Sequence, residues 1–103
     1  MPRSYSQQFR LELYKANPEE LGTKLALACV EANLPAKYVA MVFKTSRMTI
    51  HSWFRGSPFK ESKRKTIEAF VTLVRKDMAD GRLPAKGIKD AKNYLEEMIG
   101  ETF

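Results

Sequence analysis

Apolar residues recur along most of this chain at helical rather than strand spacing, and the gaps between apolar stripes divide it into a series of helices. Leu21, Leu25, Ala28, Cys29 and Ala32 stand at i, i+4, i+7, i+8 and i+11, one face of a helix that ends before Pro35. Asn17 is the expected N-cap of that helix, with Pro18 at its first position and Glu19 and Glu20 in the turn where the helix dipole favours acids. Upstream, Ser4 to Lys15 reads two ways. Tyr5, Phe9 and Leu13 recur at helical spacing, whereas Phe9, Leu11 and Leu13 alternate as in a strand; a helix is the expectation.

Residues 36–43 make a short helix with Val39, Ala40 and Phe43 turned inward. After the break Lys44-Thr45-Ser46, Ser46 is a natural N-cap for a second short helix, Arg47 to Arg55, closed by Gly56 with Pro58 beyond it. Ser62 is expected to cap a longer helix whose stripe is Ile67, Phe70, Val71, Val74 and Met78, stopping near Gly81 and Pro84. A last helix carries Ile88, Ala91, Tyr94, Leu95, Met98 and Ile99. The pattern predicts an all-α, compact bundle of about five to six helices, a single domain over residues 1–103. The helices over 62–80 and 86–100 either close its core or pair subunits.

Charge narrows the list of partners. The chain carries a formal +6, and residues 37–65 hold Lys37, Lys44, Arg47, Arg55, Lys60, Lys63, Arg64 and Lys65 against the single acid Glu61. That window sums to +7 and leaves −1 for the rest, so the basicity is regional, the mark of a binding face for a polyanion. A solvated surface segment is the plainer reading of the same charges. The lone thiol, Cys29, lies on an apolar stripe and reads as core filler in a reducing compartment. The start, MPRSYSQQ, has no apolar segment like a signal peptide, and no apolar run reaches membrane-spanning length, so a soluble, cytoplasmic protein with no membrane partner is expected.

Two short helices at a steep crossing need a small residue where the second packs on the first, and large apolar residues on the second helix's inner face. Ala40 is the small residue, Phe43 closes the first helix, and Ile50 and Trp53 point back to the core. Trp53 as a base-stacking platform is the minor alternative. With Val39, Ser46 and the ending WFRG, the segment Ala36 to Gly56 resembles the helix-turn-helix of the phage repressor and Cro family, and more loosely that of small prokaryotic regulators and phage small terminase subunits. Lys44 departs from that pattern, standing where glycine often adopts a left-handed conformation, at a cost of about 1 kcal/mol for any other residue.

The resemblance implies that the second helix enters the major groove of double-stranded DNA. Arg47, Met48 and Ser52 are then base readers with His51 beside them: Arg47 suits guanine O6 and N7, Met48 a thymine methyl. Lys37, Lys44, Ser46, Thr49 and Arg55 fall near the backbone, and Lys60, Lys63, Arg64 and Lys65 are phosphate clamps that set affinity but not sequence. The run's alternative is a solvated first turn of the next helix, although cations there oppose the helix dipole. One histidine and one remote cysteine make no metal set, and no glycine-rich phosphate loop or nucleophile motif is present. The expectation is a DNA-binding transcriptional regulator, not an enzyme, with no cofactor, reading its operator as a homodimer. A protein-interaction module on the same scaffold, with a host polymerase or nucleoid protein as partner, and a DNA-packaging or replication site-recognition protein are the alternatives.

Overall fold

A computed structural model describes residues 5–17 and 19–103. Among the described residues there are six helices and no strand: α1 (Gln7–Tyr14), α2 (Leu21–Glu31), α3 (Ala36–Val42), α4 (Arg47–Phe54), α5 (Glu61–Ala79) and α6 (Ile88–Ile99). The all-helical expectation holds. Ser4 and Pro18 lie outside the described residues.

The two readings of the N-terminal segment resolve to a helix. Ser6 caps α1 by accepting from the Phe9 amide at 3.1 Å, Leu13 is buried and Phe9 half-buried, while Leu11 stands 55% exposed, which alternating strand burial would not give. Tyr5 is tucked into the core, where its hydroxyl donates to the Leu34 carbonyl at 2.7 Å.

α2 is the central helix, packed on α5, α4 and α1. Its burial extends beyond the expected stripe to Gly22, Thr23, Ala26 and Val30, because helices cover it on several sides. At Gly22 an added Cβ would lie 2.3 Å from the Trp53 carbonyl oxygen, so α4 can approach only a residue with no side chain. Cys29 is fully buried and burial pushes its thiol pKa up, in keeping with a filler role.

The start of α2 corrects one expectation. Asn17 does not cap the helix; its side chain accepts from the Glu19 amide at 3.0 Å and its carbonyl from Glu20, forming a separate turn. Glu20 is the N-cap, without a side-chain bond, so Glu19 and Glu20 precede the first turn instead of lying within it. Ser62 likewise is not a cap: Lys60 is the last extended residue and α5 begins at Glu61. Phe59, packed on Trp53 with ring centroids 5.9 Å apart, holds the approach to α5 extended.

Helices α2, α3, α4 and α5 end alike, on a left-handed residue whose amide and the next close a paired C-terminal bond pattern. Asn33, Lys44, Gly56 and Gly81 fill that position, with φ of 58°, 55°, 96° and 85°. The Asn33 side chain donates from Nδ2 to the Ala85 carbonyl (3.1 Å) and Ala85 returns its N–H to the Ala32 carbonyl (2.8 Å), pinning the α5–α6 loop beneath α2. At the C-terminal end Tyr94 donates to Asp77 at 2.6 Å and Phe103 stacks on Tyr38 of α3 at 5.8 Å. No helix among the described residues is long and apolar enough to cross a membrane.

Candidate nucleic-acid interface

The unit carrying the basic face is α3, its turn and α4. Val39, Ala40 and Phe43 on one side and Ile50, Trp53 and Phe54 on the other are buried. Phe43 meets Trp53 edge-on at 5.9 Å and Phe70 of α5 at 5.2 Å, locking the two short helices to each other and to the scaffold. The turn is made by Lys44 in the left-handed region, the conformation glycine would adopt at no steric cost. Ser46 caps α4: its Oγ accepts from the Thr49 amide at 3.1 Å and lies 3.0 Å from the Thr49 hydroxyl.

With Ile50, Trp53 and Phe54 turned inward, α4 presents Arg47, Met48, His51, Ser52 and Arg55 on its other faces. Met48 is 79% exposed, the most solvent-facing large apolar side chain of the chain's described part. An open groove of about 670 Å³ runs beside it, lined by Tyr5, Pro35, Ala36, Lys37, Arg47, Met48, His51 and Arg55. Five of the expected site residues thus share one concavity, and no carboxylate lines it. Among the described residues neither Lys37, Arg47 nor Arg55 has an ion-pair partner, while Arg64, Arg75, Lys76 and Arg82 each pair with an acid elsewhere.

His51 sits between Arg47 and Arg55 on one stripe of α4 and is braced by edge contacts to Phe54 (5.7 Å) and to Phe9 of α1 (6.4 Å). Partial burial, then the Arg55 and Arg47 charges, hold its pKa below the ordinary histidine value, so the ring is neutral at physiological pH. It offers one N–H and one lone pair.

The remaining expected residues are dispersed. Lys44 is exposed at the turn, and Lys63, half-buried in the first turn of α5, donates from Nζ to the Phe43 carbonyl at 3.2 Å. Arg64 turns to the opposite flank, over the Phe59 ring and 3.5 Å from Glu61, beside a hollow lined also by Glu19, Leu21 and Gly22. Lys60 and Lys65 are exposed, and Ser52 is half-exposed next to the buried Trp53. The charge run is therefore not one continuous strip, because successive residues of a helix point about 100° apart.

Sequence reasoning missed the groove's other wall, Tyr5 with Pro35 and Ala36 at the start of α3, and the Phe9 brace; Tyr5 and Phe9 are distant from α4 along the chain. Gly22 left a signal: a glycine inside a helix costs stability unless something must come close. Comparison with protein-family models, curated proteins and solved structures finds no match.

Proposed function

We propose that this chain binds double-stranded DNA by using α3 and α4 as a helix-turn-helix of the phage repressor and Cro type, with the outer face of α4 in the major groove. The observation that carries this reading is the groove beside α4, where Lys37, Arg47 and Arg55 stand unpaired among the described residues with no carboxylate in the lining. Cations left without acidic partners beside a helix that presents neutral readers suit a polyanion whose bases are also read. Arg47, Met48, Ser52 and neutral His51 serve as base contacts, with Lys37, Arg55 and the exposed lysines Lys44, Lys60 and Lys65 on phosphates. Duplex DNA is favoured over a single strand because the large rings Trp53 and Tyr5 are buried, 6% and 8% exposed, and offer no stacking platform.

A transcriptional regulator acting as a homodimer in the cytoplasm, without enzymatic activity, is the role that fits such a module. Selection of binding sites from random duplex DNA tests it. The preferred site is expected to be bound at least about a thousandfold more tightly than random sequence. With about six phosphates neutralised, log K against log salt should fall with a slope near −5. A two-fold symmetric site with half-sites about 34 Å apart would support the dimer. Equal affinity for selected and random duplexes at every salt concentration removes the regulator reading.

A further inference from the structure

Lys63 belongs by charge to the phosphate-clamp run, yet its geometry ties it to the α3–α4 turn. We propose that Lys63 is a positioning residue for α4, holding the turn by an ammonium bond to the backbone and thereby setting where Arg47 and Met48 present themselves. The binding half of this inference rests on the DNA-binding reading above.

Three observations carry it. The carbonyls of Val39, Ala40 and Met41 at the end of α3 receive the amides of Phe43, Thr45 and Lys44, and the Phe43 carbonyl receives Lys63 Nζ at 3.2 Å. A cation on a helix's last carbonyls is favoured by the dipole and makes a charge-assisted bond. Second, the turn being held contains Lys44 at φ 55°, a backbone shape disfavoured for lysine, so it gains from an external tether. Third, Lys63 stands at i, i+4, i+7 and i+11 with Ile67, Phe70 and Val74, the buried stripe of α5, and Phe70 packs on the ring of the same Phe43. One residue of the turn is thus gripped by α5 through both its ring and its carbonyl. Lys60 and Lys65, of equal charge, are exposed and make no such bond among the described residues.

The test compares full-length Lys63→Met with Lys60→Met, which removes the same charge from a site without the tether. Hydrogen exchange of the Lys44 and Thr45 amides needs no DNA; it is expected to speed up about tenfold in Lys63→Met and to stay at the wild-type rate in Lys60→Met. On duplex DNA, Lys63→Met is expected to lose about fivefold in the ratio of selected-site to random-site affinity while keeping the wild-type salt slope. Lys60→Met should weaken both DNAs alike and keep the ratio. A salt slope shallower by about one with the ratio preserved makes Lys63 a phosphate clamp and overturns the proposal. Faster exchange with an unchanged ratio reduces the bond to a stabilising one and also overturns it. Wild-type protein that does not discriminate between the two DNAs removes the DNA reading instead, and exchange at Lys44 and Thr45 then decides alone whether Lys63 holds the turn.

Discussion

The two ends of the bundle use the same residue types in opposite ways. Around α5 and α6, Arg75 pairs with Glu31, Lys76 with Asp80 and Arg82 with Glu97, and Arg82 also lies over the Tyr94 ring. Beside α4, Lys37, Arg47 and Arg55 share a groove with no acid in its walls. Lys37 has only the Tyr38 ring beneath its ammonium group. A cation next to a carboxylate has its field cancelled within a few ångströms, whereas three cations on one concave face with no carboxylate beside them reinforce one another. Net charge therefore matters less than which charges are left unanswered, and that distinction separates an ordinary solvated surface from a binding face.

The comparison breaks first if α4 loses its support. Gly22→Ala would place a methyl 2.3 Å from the Trp53 carbonyl oxygen, forcing α2 off α4. The expected loss is about 3 kcal/mol in denaturant unfolding, well beyond the gain alanine normally brings to a helix. A neutral or stabilising result would mean that α2 and α4 are not so closely packed.

Next in size is a charge-matched pair of double variants. Removing Arg47 and Arg55 together, both to alanine, should weaken binding to the selected duplex about 100-fold at about 0.15 M salt and make the salt slope shallower by about 0.9, the share of the phosphate contact at Arg55. Removing Arg75 and Arg82 deletes the same charge from paired sites and should change affinity by less than about threefold. Equal losses would show that overall charge, not the groove, drives binding.

A smaller effect is expected at the other end. Tyr94→Phe deletes the 2.6 Å bond to Asp77 and should cost about 1 kcal/mol of stability with DNA affinity unchanged. Loss of DNA binding in that variant would join the two ends that the charge pattern separates.

The smallest is the pH dependence. His51 has a lowered pKa in the folded chain, from burial first and the flanking Arg55 and Arg47 second, so the unfolded chain takes up a proton sooner as pH falls. Stability should drop between about pH 7 and pH 5.5, and His51→Gln should flatten that limb in melting curves. Tyr5 and Tyr94 are shifted the other way, upward by burial, with Asp77 adding to Tyr94, so stability should fall again above about pH 10. An acid limb identical in the His51 variant would place its origin in other groups.

Much of the local structure was legible along the chain. Ser46 as cap, the break at Lys44, the closing Gly56 and the inward set Val39, Ala40, Phe43, Ile50 and Trp53 all follow from contacts within a few residues, where spacing translates directly into geometry. Asn17 misled because the same side chain that caps a helix also closes a free turn, and only the backbone two residues on tells them apart. Ser62 misled for a related reason, since the packing of Phe59 on Trp53, not the serine, sets the chain's path into α5.

By itself, then, the order of residues determined a bundle of about five to six helices, most of their inward faces and a basic stretch, because period and capping are short-range properties. Only the tertiary structure decided which cations of that stretch share a face. Tyr5 closes the groove from a position remote from α4 in the chain, Arg64 turns onto Phe59 and Glu61, and Lys63 is drawn back onto the Phe43 carbonyl. The physical reason is that charge adds up along a sequence without regard to direction, whereas a binding face depends on where each side chain points once the helices have packed.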